Sequence, residues 1–474
     1  MVGTIPNQEE RVRPNAAQKR IIECWQELSH SANQSTVERN LEFPLLAALG
    51  ITPQQLVVPG NVAIAGTSGL IPDALVYNAL NQPPILVIEN KARCPRLARV
   101  SDEGFLTACQ QHTFYKEAIG YIPNGIKQYL DVDRVKPEFL ASYGLAFNGD
   151  FFQLWRRVDG LVFPLTAIQR VTSTTILGLM RQLEYCLQNP QPALVATVWN
   201  RKGGVAKTTN TLNIGATLAL AGKRVLLIDL DPQRDLTKGL GLTRFLPSYL
   251  KPCLDKLELH DLEEAKSILD GSIQTRTFPT TDNQKYSLSL LTTDRASLEN
   301  FRDRKKELFT TSPAAIVKKI IQLLKPDYDY IFIDVSPSPD KLTESVLYSC
   351  DTVLIPFDFS DALRHAVDVY EETIPRMRNL RAANEQLHLA PWNLGIVFSN
   401  CPADAGGLEK LVQSELEKRS FVGKQCQTRL KTYAQTKIAG FREVPVICWQ
   451  NSPITKLYAN LVNEVFLSHN FTDH

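Results

Sequence analysis

The segment Lys202-Gly203-Gly204-Val205-Ala206-Lys207-Thr208-Thr209 constrains the fold more than any other part of the chain. It follows an apolar run, ALVATVWN, that reads as a buried strand, and it opens a helix predicted from about Lys207 to Ala221. That helix stops at Gly222, a residue suited to the left-handed position after a helix. A strand, a glycine turn and a helix in this order aim backbone N–H groups at one point, where the helix N-terminus favours negative charge. Gly203 and Gly204 let the backbone approach a bound phosphate, Lys207 supplies charge, and Thr208 supplies a hydroxyl for Mg²⁺. Such a loop belongs to a parallel sheet. RVLLID follows the helix at once, and DYIFID, DTVLIP and LGIVFSN alternate with helical stretches, as in a mostly parallel, doubly wound sheet buried on both faces.

Carboxylates stand at two further strand ends: Asp229 and Asp231 in LLIDLDPQ, and Asp334 in IFIDVSPSP. A strand-end aspartate ordinarily caps a helix or forms a turn. Beside a phosphate loop the reading changes, because ligands of parallel α/β sheets converge at the carboxyl ends of the strands.

The stretch NRKGGVAKTTNTLNIGATLALAGKRVLLIDLDPQ closely resembles the ParA/MinD family of deviant Walker A ATPases, and the resemblance continues to the C-terminus. It implies ATP and Mg²⁺ as cofactors, held by Lys202, Gly203, Gly204, Val205, Ala206, Lys207, Thr208, Thr209 and Asp334. Lys202 is the additional lysine of that family. The resemblance implies that it reaches the nucleotide of a partner subunit, so that ATP is sandwiched in a homodimer. Asp231 is implied to orient the attacking water, and Asp334 to be the Walker B acid beside Mg²⁺ and Thr208. The chain departs from the family at Asp334-Val335-Ser336-Pro337-Ser338, where members commonly read DTPPS, so the loop after the Walker B strand is expected to behave differently. ATP-bound dimers of the ParA branch bind DNA without sequence preference, and a partner protein stimulating hydrolysis is a further expectation. The MinD branch instead carries a basic amphipathic C-terminal helix for membranes. This chain ends YANLVNEVFLSHNFTDH, without a Lys/Arg-rich polar face, which argues against a membrane. Basic residues collect earlier, and Arg429, Lys431 and Lys437 are the candidates for DNA backbone contact, with a solvated face as the rival explanation.

The N-terminal half reads differently. It opens with helical text to about Gly50. Strands follow at ALVYN and ILVIEN, joined by a short Asn-Gln-Pro-Pro connection; a helix is expected near Thr107 to Ile119, then strands at YGLAFN and FFQLWRR. This predicts a small α/β domain with a mostly hairpin-linked sheet. Pro72-Asp73 stands one hairpin before Glu89-Asn90-Lys91. Metal-dependent phosphodiester cleavage needs two carboxylates to hold Mg²⁺ and a lysine to orient water, and strand alternation puts Glu89 and Lys91 on one face. Together with VERNLEFPLLAALG, QHTFY and YGLAFNGDFFQLWRR, this resembles the PD-(D/E)xK nuclease domain of type I restriction R subunits, over roughly Val37 to Pro164. The resemblance implies Glu38, Asp73 and Glu89 as metal ligands, Asp73, Glu89 and Lys91 as the catalytic set, and Gln111 and Tyr115 contacting DNA or bracing the site. Glu38 has a rival role in a capping box, Ser35-Thr36-Val37-Glu38.

QNPQPA, Gln188 to Ala193, punctuates the chain and sets the expected junction, with a restriction-endonuclease-like α/β domain at 1–190 and a P-loop NTPase domain at 191–474. Lys and Arg (52) nearly balance Asp and Glu (50), so DNA contact would need a local patch rather than overall charge. Nine scattered cysteines without a C-x-x-C pair argue for reduced thiols and against a structural zinc. The polar N-terminus lacks the apolar core of a signal peptide, which predicts a cytoplasmic protein, and DNA binding would associate it with the nucleoid. Joined, the halves imply an ATP-dependent, dimerising DNA-binding ATPase that presents a Mg²⁺-dependent DNA endonuclease in defence against foreign DNA. The alternative is a ParA-type plasmid-partition or cargo-positioning ATPase with an inactive nuclease-shaped binding domain. The segment from Phe245 to Thr292 has no assigned role.

Overall fold

The computed structural model describes residues 14–59, 70–120, 125–243, 248–292, 294–303, 314–359, 361–384, 389–402 and 406–471. The polar N-terminus at 1–13 and Phe245 lie outside them. The chain divides into two compact units, Met1–Arg157 with Pro164–Pro190, and Val158–Phe163 with Gln191–His474.

In the first unit the helical text after Asn33 is one rod with a bulge in it. Gln34–Val37 is α-helical, Glu38–Glu42 is a π turn, and Phe43–Ala48 is α-helical again. Pro44 supplies the cause. It has no N–H for the carbonyl one turn back, and the preceding turn widens so that Phe43 N bonds Glu38 O. The expected Ser35/Glu38 capping box does not form: Asn33 is the cap, accepting from Thr36 N at 2.9 Å. The sheet runs Leu56–Val57, Ala74–Val76, Leu86–Asn90, Tyr143–Phe147, Phe151–Val158. Ala74–Val76 and Leu86–Asn90 form the expected hairpin, Ala74 opposite Ile88. Leu86–Asn90 then pairs in parallel with Tyr143–Phe147, and the helices between make the crossover, so one parallel pairing is set among antiparallel, mostly hairpin-linked strands and the sheet is mixed. The helix expected near Thr107 to Ile119 breaks at His112, whose extended backbone ends Asp102–Gln111 and caps Thr113–Ile119 through its ring.

The second unit carries a sheet ordered Ile273–Pro279, Lys285–Leu291, Val225–Asp229, Tyr330–Asp334, Leu194–Val198, Thr352–Phe357, Trp392–Phe398. Every pairing is parallel except the hairpin of the first two strands. Its inner strands are buried along their whole length, because helices cover both faces and leave no position for a polar side chain to reach water. Two apolar clusters, one per face, form the core. The hairpin comes from the previously unassigned segment, together with helices Leu250–Glu258 and Leu262–Ser272. Leu161 and Val162 pair in parallel with Asn470 and Phe471 within this unit. Among the described residues no helix is long and apolar enough to cross a membrane.

Candidate functional site

In the second unit the buried strand Leu194–Val198 delivers the chain into the glycine loop, and two side chains just past it fix the loop's base. Trp199 Nε1 donates to Ser336 O at 3.0 Å, joining the loop to the segment after Asp334. Asn200 donates to Pro356 O and Ala362 O and accepts from Lys202 N at 3.1 Å. Gly203 and Gly204 are exposed, and a Cβ at either would meet nothing within 4 Å, which leaves an open cradle of backbone. Asn400 donates to Gly204 O at 2.9 Å. Val205 is fully buried and anchors the turn, while Ala206 takes the left-handed conformation (φ 64°) before helix Lys207–Leu220.

Lys207 is 7% exposed and its Nζ donates to Lys202 O at 2.7 Å. Burial lowers its ammonium pKa, and Asp334 and Asp231 oppose that shift, so both carboxylates stand within electrostatic reach of the lysine. Thr208 Oγ1 donates to Asp334 Oδ2 at 2.8 Å. Asp334 is fully buried, and its Oδ1 has no hydrogen-bond partner. Burial, then Asp229 beside it, push its carboxyl well above the usual range. Such a buried, half-satisfied carboxylate is costly unless a cation completes it. Mg²⁺·ATP fits these donors: an open amide cradle, an ammonium, a hydroxyl on a carboxylate, and a carboxylate oxygen without a donor. Lys207, Thr208, Asp334 and the loop backbone would hold it. Thr209 follows in the first turn of the helix, where its carbonyl accepts from Asn213 Nδ2 at 2.8 Å. Lys202 is half-buried, and among the described residues its ammonium meets no carboxylate.

The basic candidates are spread out. Arg429 is already paired with Glu409 at 3.2 Å, Lys431 is half-buried beside the bridge to Cys401, and Lys437 is exposed on helix Ala434–Phe441.

In the first unit the structure brings Asp73, Glu89 and Lys91 together. The strand ends at Asn90, one residue short of Lys91, yet Lys91 Nζ still meets Glu89 Oε1 at 2.5 Å. Asp73 Oδ2 accepts from Asn90 N at 2.6 Å and Oδ1 from Gln34 Nε2 at 2.8 Å; the same Gln34 amide reaches Glu38 at 3.1 Å. Glu38 is therefore linked to Asp73 through an amide. Glu89 is buried, and burial, then Asp73, raise its carboxyl to about 7 despite Lys91. Burial likewise raises Asp73. Among the described residues no group of three His, Cys, Asp or Glu is placed to hold a metal ion. Mg²⁺ asks for less, since it keeps water and often takes only one or two carboxylates beside phosphate oxygens. Tyr115 is 5% exposed with its hydroxyl on Gln153 at 2.9 Å, a bracing place rather than a DNA-facing one, whereas Gln111 is exposed at the end of its helix. Gln34, Glu42 and Asn90 escaped the sequence reading.

The second unit is thus a P-loop NTPase domain, as its sheet order, loop and strand-end acids define it. Residues 193–389, all within that unit, match the family model described as an AAA domain. Among curated proteins the chain is 33% identical over 180 residues to the chromosome-partitioning ATPase Soj of Treponema pallidum, covering 38% of this chain and 63% of the relative. It is 33% identical over 162 residues to the sporulation initiation inhibitor protein Soj of Bacillus subtilis, covering 34% and 57%. The chain thus spans less than two thirds of the length of these relatives. The solved apo McdA of Cyanothece overlaps with a TM-score of 0.44 at 18% identity, over 58% of this chain and 99% of that one. The C-terminal part of the chain is thus a P-loop domain similar to these partitioning ATPases.

Proposed function

We propose that the C-terminal unit is a Mg²⁺·ATP-dependent ATPase whose nucleotide-bound form pairs two chains and acts on DNA in partitioning or positioning, the work for which its Soj relative is named. One observation carries the reading: two lysines share one loop and differ in their contacts. Lys207 is buried and tied to the loop's own carbonyl, while Lys202 has no carboxylate partner in its own chain among the described residues. A cation left unpaired beside a phosphate cradle is suited to a polyphosphate presented from outside, as between two subunits. Bound Mg²⁺ would supply charge neutralisation on the phosphate oxygens. In this reading Lys207 holds charge at the loop, Thr208 and Asp334 hold the cation, and Asp231 orients water, a role supported by its electrostatic reach to Lys207. The alternative set out above, a partition or positioning ATPase, takes precedence over defence, for which neither unit offers an observation.

Lys207→Ala should abolish ATP binding, whereas Lys202→Ala should retain it and lose ATP-dependent dimerisation. Nucleotide titration beside light scattering reads both, and equal loss of binding in the two variants sinks the trans role. Duplex DNA titrated with the wild type should bind only with ATP, with affinity falling steeply as salt rises. Binding indifferent to ATP would detach DNA from the nucleotide.

A second reading is favoured in the first unit by one arrangement, the carboxylates of Asp73 and Glu89 beside the Lys91 ammonium. Two acids and a lysine around a Mg²⁺ place are the requirements of phosphodiester cleavage, with the acids holding the cation and the lysine orienting water. Cleavage of supercoiled plasmid with Mg²⁺ by the wild type, lost in Asp73→Ala, tests it.

A further inference from the structure

The carboxyl ends of three adjacent strands bring Thr292, Asp229 and Asp334 side by side: Leu291 is in register with Ile228, and Asp229 with Asp334. The two register-paired aspartates differ in one respect. Asp334 keeps an oxygen without a donor, but Asp229 is filled. Its Oδ1 accepts from Asp231 N at 3.2 Å, and its Oδ2 from Thr237 N at 2.9 Å and from Thr237 Oγ1 at 2.5 Å. A carboxylate carrying these bonds at zero exposure has little left to offer a cation. Thr237 has spent its only hydroxyl proton on Asp229, so in the 2.9 Å contact between Thr237 Oγ1 and Thr292 Oγ1 the donor is Thr292. Both threonines are fully buried, so no water competes for these bonds.

We infer that Asp229, Thr237 and Thr292 form a buried hydrogen-bonded relay, donating from Thr292 to Thr237 to Asp229, that positions the loop carrying Asp231 against the phosphate site. Asp229 is thus a positioning residue and not a ligand. Thr292 follows directly on the hairpin Ile273–Pro279 and Lys285–Leu291, so the otherwise unassigned segment contributes the last hydroxyl of the relay. The rest of the loop is held by local bonds: Leu230 N donates to Asp334 O, Arg234 N to Asp231 O and Gln233 N to Asp231 Oδ1, each at 2.9 Å, and Arg234 sits in the left-handed region (φ 53°) before the short helix Asp235–Gly239. Asp231 lies within electrostatic reach of Lys207, which ties its placement to the ATPase reading on which this inference rests.

The test uses the full chain with Thr292→Val, which removes the donor and keeps the shape, and Thr292→Ser, which restores the donor. With ATP as substrate, Thr292→Val should lower kcat about fivefold or more while KM and the affinity for a fluorescent ADP analogue stay within about twofold. Thr292→Ser should return kcat to within about twofold of the wild type. Hydrogen exchange gives a readout that needs no turnover: the amides of Asp231 and Thr237 should exchange about tenfold faster in Thr292→Val and at the wild-type rate in Thr292→Ser. Unchanged exchange in Thr292→Val, or a serine variant as impaired as the valine one, overturns the relay. A wild type that binds the ADP analogue but never turns over ATP would refute the ATPase reading, and the exchange rates would still decide the relay.

Discussion

Ala206 stands where the general phosphate-loop pattern has a glycine before its lysine, and it adopts the backbone that glycine tolerates best. For an L-residue the left-handed region costs about 1–2 kcal/mol, part of which a glycine would return as greater freedom of the unfolded chain. Ala206→Gly should therefore raise unfolding stability by about 1 kcal/mol, read by guanidinium denaturation at fixed pH without nucleotide. A loss of stability would contradict the left-handed placement. The residues of this loop were legible because the chemistry fixes their types: only a lysine, a hydroxyl and an acid can do what Lys207, Thr208 and Asp334 do. Gln34, Glu42 and Asn90 were not, because their partners are distant in sequence. Gln34 meets Asp73 across 39 positions and Asn90 meets Glu42 across 48, and no local pattern announces such pairs.

At the scale of elements, strands buried on both faces were readable as apolar runs, and the helix from Lys207 was readable from its flanking glycines. Other features depend on tertiary context. The parallel pairing of Leu86–Asn90 with Tyr143–Phe147 forms on the edge opposite its hairpin partner and joins strands distant in sequence, and the break at His112 interrupts text that reads as one helix. The π turn at Glu38–Glu42 is a third case, and it has a measurable consequence. It turns Glu42 inward, where Asn90 Nδ2 donates to one carboxylate oxygen and the other has no donor. Burial, and then the carboxylates of Asp73, Glu38 and Glu89, push this carboxyl up to about 8, against an Asn90 bond that lowers it. A raised acid binds its proton more tightly when folded, so its contribution to stability is full below about 4.5 and is lost as pH rises through about 8. One such proton tilts stability by up to about 1.4 kcal/mol per pH unit inside that window. Glu42→Gln, which keeps the shape and the amide contact without the ionisation, should flatten the fall in stability between pH 5 and 8 on the wild-type profile. Denaturation midpoints across that range check it, and an equally steep fall in the glutamine variant would show that Glu42 is not the group responsible.

For the whole molecule, the question is whether the two units' chemistries operate together. A site built from Asp73, Glu89 and Lys91 occurs once per chain and would cut one strand, so cleaving both strands of a duplex requires two chains. If ATP pairs the chains, cutting should follow the nucleotide state. With supercoiled plasmid, Mg²⁺ and ATP, Asp73→Ala and Glu89→Ala should each abolish both nicking and linearisation, because losing either acid removes half of the carboxylate charge that places the cation against the scissile phosphate. Lys91→Ala should abolish cutting while leaving Mg²⁺ binding largely intact. Lys202→Ala, with all three nuclease residues in place, should suppress linear product more than nicked product, since it removes pairing and not chemistry. Asp231→Ala should preserve or raise linear product, because a chain that binds ATP without hydrolysing it stays paired. Wild-type protein that nicks under none of these conditions, or Asp73→Ala that cuts as well as wild type, would leave the first unit a binding module. The ATPase of the second unit would then stand alone as the molecule's chemistry.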